Sequence, residues 1–269
     1  VTGESRAASF ASTVTSERTV LAATALLFVA STGGTVWWCG SMSGGMAMPG
    51  GWTMSMAWMR MPDQTWPEAA ASFLAMWALM MLAMMLPSLA LMLAPYYRDL
   101  SERDEPHAVV PTVIAGAAYF VVWTIVGAAV YPLGIVLAAA AMRSDALARC
   151  IPVATGVVLV LAGCLQLTAW KSRALARCRD VHACGMRVGS DPRSAWAHGG
   201  RLGVHCSLCC SGLVAGLLVV GVMDVGAMAL VATAITAERF APKPAYVART
   251  SGMLLVAAGL LAIARAAGI

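Results

Sequence analysis

Apolar runs of about twenty residues or more recur along the chain. Each is long enough, at about 1.5 Å per helical residue, to cross the ~30 Å hydrocarbon layer of a bilayer. The first extends from Arg18 to Trp38 and places Trp37 and Trp38 where interfacial aromatic anchors belong. A cleaved signal peptide competes for this segment, but the run continues past any small-residue cleavage site. Further runs cover about Ala69–Tyr97, Val109–Met142, Cys150–Trp170 and Val247–Ala264. The third is longer than one crossing needs, which predicts tilt or a break near Tyr131-Pro132-Leu133-Gly134. Residues 205–238 are almost uncharged apart from Asp224, and as one straight helix they would reach about 51 Å. That predicts two short helices broken at Gly221-Val-Met-Asp-Val-Gly226, or one strongly tilted helix. The fold class is therefore all-α, a polytopic transmembrane bundle of six or seven helices. Residues 1–18 form a polar, unstructured cytoplasmic tail, and residues 19–269 form one transmembrane domain.

Composition agrees with this reading. Apolar residues make up 60% of the chain and charged ones 12%, against roughly 45–50% and a quarter in soluble domains. That excludes a soluble enzyme, a disordered regulator and a nucleic-acid binder. The lipid bilayer is the partner the composition demands. The formal charge of +5 is concentrated in one place: between Lys171 and Val204 seven basic residues face only two acids, Asp180 and Asp191. Basic loops stay cytoplasmic, so 171–204 reads as a cytoplasmic loop. Alternation then puts the N-terminus inside and the 39–68 loop outside, where Arg60 is the one basic residue. Most of the eight cysteines lie in or beside apolar segments, and they do not read as the disulfide framework of a short secreted chain.

Three stretches carry chemistry. The outer loop holds Met42, Met46, Met48, Met54, Met56, Met59 and Met61 among glycines. Thioethers are soft, neutral ligands suited to Cu(I), although Met and Trp also serve as adaptable apolar contacts. Next, Met76, Met80 and Met84 recur every fourth residue and make one helical stripe, with Trp77, Met81 and Met85 beside it. Such a stripe is either adaptable packing or a path for a soft ion, and Pro87 frees the carbonyl of Ala83. Third, His205-Cys206-Ser-Leu-Cys209-Cys210 sits at the mouth of the fifth span. At about 100° per residue its four donors occupy less than half the helix circumference. Thiolate and imidazole select Cu(I), Zn(II) or an iron–sulfur centre. Cys178, His182, Cys184 and His198 precede it without matching a zinc-finger spacing. Asp224, an acid deep in an apolar tract, is either functional or placed at a helix turn near the interface. Gly212-x3-Gly216 is a small-residue packing motif.

Several of these segments resemble a bacterial family of predicted metal-binding integral membrane proteins. The resemblance is carried by Met76-Trp77 with Met80-Met81-Leu-Ala-Met84-Met85-Leu-Pro87, and by Gln166-Leu-Thr-Ala-Trp-Lys171 with Cys178. It continues through Gly203-Val-His-Cys206-Ser-Leu-Cys209-Cys210, Gly221-Val-Met-Asp224 and Glu238, over roughly residues 66–240. The chain departs from that family at Leu208 and Ser211, where the family has Gly and Trp, and at Asp224, where it has Asn. The resemblance implies a metal site and the bacterial inner (cytoplasmic) membrane.

The residues point first to a protein that handles a soft ion, most readily Cu(I), through Met42, Met46, Met48, Met54, Met56, Met76, Met80 and Met84. Cys178, His182, Cys184, His205, Cys206, Cys209, Cys210 and Asp224 complete the candidate set. Zinc, or no metal, are the alternatives to copper. The recipient would be a metallochaperone or a larger membrane complex, and nucleic acid is not a partner. Two further readings are an accessory, non-catalytic subunit of a membrane enzyme and a thiol redox protein using Cys209-Cys210. No Gly-x-Ser-x-Gly elbow, phosphate loop or nucleotide fingerprint is present, so catalysis is not expected.

Overall fold

The computed structural model describes residues 2–42, 44–61, 63–102, 108–179 and 191–268. Of the described residues, 86% are helical. The described helices are α1 (Thr2–Ser41), α2 (Trp66–Glu102), α3 (Val109–Arg143), α4 (Asp145–Leu167), α5 (Ala169–Arg179), α6 (Pro192–Val220), α7 (Val225–Phe240) and α8 (Pro244–Ala266). All of these except α5 and α7 contain segments long and apolar enough to cross a membrane. Between α1 and α2 a hairpin, β1 (Gly45–Met48) with β2 (Trp52–Ser55), pairs Met46 with Met54 and Met48 with Trp52.

Four local expectations change. Residues 2–18, read as an unstructured tail, continue α1 as helix, because extending an existing helix avoids the cost of nucleation. The run 109–142 does not break at Pro132; α3 passes through it unbroken. In the basic stretch 171–204, read as a loop, the described residues 171–179 and 192–204 are helical. Asp191 caps α6 by accepting the Ser194 N–H at 3.1 Å, and Pro192 stands at the first turn, a favoured start for a helix. Hydrogen bonds from Ser194 also hold the exposed Asp191 carboxyl below the ordinary carboxylate range. With α6 starting at Pro192, the Cys206–Cys210 motif lies in mid-helix and not at its mouth. The predicted break at 221–226 is present. Gly221 ends α6 at φ +150°, in a region that a β-carbon disfavours.

Within a bilayer, apolar burial does not drive helices together; close packing and polar bonds do. Half of the α2 and α6 spans is buried against 11% in α1 and α3, so α2 and α6 form the centre and the others the wall. α4 and α8 run antiparallel, with Gly156 against Gly259 and Gly163 against Gly252. A β-carbon on Gly163 would stand 2.6 Å from the Gly252 carbonyl oxygen. Trp77 donates its indole N–H to the Trp123 carbonyl at 2.8 Å and ties α2 to α3. α7 begins beside the end of α1, where Cys39 Sγ lies 3.9 Å from Met223 Sδ. It returns antiparallel to α6, bringing Arg239 to Cys206. Its sixteen residues span only about 24 Å.

Candidate metal centre

The centre forms where the middle of α6 meets α3, α5 and the end of α7. Cys206 and Cys210, one helical turn apart, are 0% and 1% exposed, with their sulfurs 3.9 Å apart. Tyr119 of α3 lies with its hydroxyl 2.9 Å from Cys206 Sγ. From α7, Arg239 directs Nη2 at Cys206 Sγ (3.0 Å) and Cys210 Sγ (3.8 Å), and Nη1 at Met92 Sδ of α2 (2.7 Å). Its Nε has no partner among the described residues. A guanidinium thus donates to three sulfurs from two helices, α2 and α6.

Cys209 turns the other way. With Cys178, Leu175 and Ala248 it forms a small cluster between α5, α6 and α8. Cys178 Sγ donates to the His205 carbonyl at 3.1 Å. The divergence follows from helix geometry: Cys206 and Cys210 share one face, while His205 and Cys209 share a face about 100° away. The sequence places the four donors on one arc, but the packing divides that arc between two sets of neighbours. The His205 imidazole is half-buried. Among the described residues no three Cys, His, Asp or Glu side chains stand around one point as a complete coordination shell. The described cysteines are all free. Metal–thiolate bonds, about 2.3 Å for zinc, would span about 4.6 Å end to end. The Cys206–Cys210 pair therefore needs to open by less than about 1 Å to hold one ion in a two-coordinate bridge.

Beneath the thiols lies a buried ion pair. Lys171 Nζ is 2.7 Å from Glu238 Oε2, with side chains 1% and 2% exposed. Lys171 also donates to the Cys209 carbonyl at 2.8 Å. Glu238 Oε1 accepts from Gln166 Nε2 (2.9 Å) and Ser251 Oγ (3.1 Å). Burial alone would lower the Lys171 ammonium. The neighbouring Cys209 and Glu238 outweigh it and hold the group above the ordinary lysine range. Charge at this depth persists only when paired. The ion pair pins α5 and α7 to the backbone that carries Cys209.

The methionines separate into three groups. Met76, Met80 and Met84 are buried at 4%, 1% and 3% exposure. Continued through the buried Ser88, their stripe leads to Met92 at Arg239, about 24 Å from Met76 along the axis. In the segment between α1 and α2, Met54 (2% exposed) and the half-buried Met48 pack against Ala138 and Ala141 of α3, while Met46 is 43% exposed. Met42 and Met56 instead line a cavity between the end of α1, that segment and α2. Asp224 is exposed and caps α7, accepting the Ala227 N–H at 2.8 Å. His182 and Cys184 lie outside the described residues. His198, mentioned with them, stacks on Tyr96 at 4.6 Å.

No motif or spacing in the sequence singles out Arg239, Tyr119 or Met92. The available signal was the Glu238-Arg239 dipeptide closing an otherwise apolar helix, since two charges there require buried partners. Residues 74–262, which take in α3 to α7 and Cys178, Cys206, Cys209 and Cys210, match a family of copper chaperones. The chain belongs to the PpoB2 copper chaperone family. Membership establishes a copper-related role and, with the long apolar helices, agrees with the metal-related membrane family resembled in sequence. No curated protein and no solved structure matches the chain.

Proposed function

We propose that this chaperone carries Cu(I) on sulfur donors within the membrane, with Cys206 and Cys210 as its holding site and Cys178 and Cys209 as the adjacent pair. The observation that carries the reading is the continuous α2 thioether stripe, Met76–Met80–Met84, leading through Met92 to the Arg239-bound thiols. Thioethers bind Cu(I) without losing a proton, and thiolates bind it more tightly, so a stripe ending at thiols has a downhill direction. Copper arriving at Cys206 and Cys210 displaces the Arg239 guanidinium, whose sulfur bonds it replaces. His205, on the α6 face that carries Cys209, is a further candidate donor.

Lys171, Arg173, Arg177, Arg193 and Arg201 gather at the end of the bundle opposite the hairpin, which supports a cytoplasmic side for the thiol centre and the N-terminus. The reading places the protein in the bacterial inner membrane and hands the ion to a metallochaperone or a larger membrane complex. The test is anaerobic Cu(I) titration of the full chain in detergent against a chromogenic chelator. Cys206→Ser with Cys210→Ser should remove one equivalent, whereas changing the exposed Cys150 and Cys164 to Ser should remove none. A Cys206/Cys210 double variant that binds copper as the unaltered chain does would overturn the assignment.

A further inference from the structure

The stripe's outer end opens on a second sulfur-rich place. A cavity of about 90 Å³ is lined by Met42, Met56, Met59, Met61, Met76 and Met223. These six thioethers come from the end of α1, the outer segment, α2 and the break before α7. Cys39, 5% exposed, stands behind them with its thiol 3.9 Å from Met223 Sδ. No Asp, Glu, Lys, Arg or His lines the cavity; its oxygen donors are the neutral Gln64, Ser72 and Tyr131, outnumbered by the six thioethers, a lining that favours a soft ion over a hard divalent one.

Its openness is itself informative. Methionine, unbranched and flexible, is the side chain that most readily fills a gap. Here six methionines, five half-buried and Met76 buried, line a partly open cleft without filling it. One donor is held and another is free to adjust. The Trp38 indole N–H donates to Met42 Sδ at 3.1 Å, while Met223 lies on the non-helical link after Gly221, where its backbone is not fixed by a helical ladder.

We propose that this cavity is an entry site for a single Cu(I) ion, bound by thioethers with Met76 and Met223 at its centre and Cys39 as reserve. Met76 is then both a wall of this site and the first member of the α2 stripe. The exposed Met46 and the packed Met48 and Met54 have no part in it. The assignment rests on Cu(I) as the cargo but not on the thiol centre, so the two can fail separately.

The test is the same Cu(I) titration on the full chain. The unaltered protein should bind two equivalents, and Met76→Leu with Met223→Leu should bind one, with the outer affinity lowered at least tenfold. Leucine nearly conserves methionine volume, so the fold is retained. Met46→Leu with Met48→Leu should leave both equivalents in place. A chain with Cys178, Cys206, Cys209 and Cys210 all changed to Ser should keep one equivalent, with an X-ray absorption spectrum showing sulfur ligands only. Unchanged stoichiometry and affinity in the Met76/Met223 variant would overturn the entry site while leaving the thiol centre standing. Loss of one equivalent from the Cys206/Cys210 variant with the outer equivalent retained would support the entry site. Failure of the unaltered chain to bind any Cu(I) would overturn both.

Discussion

Replacing Lys171 by Met strands the Glu238 carboxylate in the bundle interior. Breaking a buried ion pair from one side costs about 3–5 kcal/mol, because the remaining charge stays desolvated; at about 1.4 kcal/mol per decade that is roughly 100- to 4,000-fold in the folding equilibrium. The two single variants should not be equal. After Lys171→Met, Glu238 keeps hydrogen bonds from Gln166 and Ser251, which favours the lower figure. After Glu238→Leu, the Lys171 ammonium keeps the Cys209 carbonyl but loses its counter-charge, which favours the upper one. The double variant Lys171→Met/Glu238→Leu removes both charges and should recover to within about 1–2 kcal/mol of the unaltered chain, since apolar replacement of a buried pair is often neutral. The assay is unfolding by SDS in mixed micelles, followed by the fluorescence of the nine tryptophans. A double variant whose loss equals the sum of the single losses would refute the pairing, and so would single variants that each lose less than about 1 kcal/mol.

Asp224→Ala should cost about 0.5–2 kcal/mol through loss of the α7 cap and leave copper stoichiometry unchanged; loss of a full equivalent would make Asp224 a ligand instead. Gly163→Val should force α4 and α8 apart, because even a β-carbon meets the Gly252 carbonyl, and should cut the monodisperse yield in detergent. Gly200→Ala, where nothing lies within 4 Å, should be neutral or stabilising by about 0.4–1 kcal/mol. Equal behaviour of the two glycine variants would show that the α4–α8 contact does not hold the bundle.

The helices and their apolar faces were legible because their causes are local. The break at Gly221–Asp224 was readable from a tract too long for one crossing with glycines in its middle. The stripe of Met76, Met80 and Met84 follows from spacing alone, and all three are buried as one face. Spacing also put Cys206 with Cys210 and His205 with Cys209. It did not reveal that the first pair meets Tyr119 and Arg239 while Cys209 meets Cys178. A periodic pattern fixes angles around one axis, but the rotation of that axis against its neighbours depends on contacts scattered over the chain. Asp224 illustrates the same limit: an acid in an apolar tract signals a special position, and only the backbone turn beside it assigns the carboxylate to a cap.

By itself, then, the sequence determined that this chain forms apolar helices, where most of them run, and that its soft donors fall on particular faces, since chain length, hydropathy and the helical repeat act over a few residues at a time. Only the tertiary structure decided which donors meet. It turned α7 back so that Arg239 sits among the thiols and Met223 reaches Cys39, and it divided the outer methionines between a packed hairpin and an open cavity. Those outcomes depend on residues as far apart in the chain as Cys39 and Met223, and no local rule couples them.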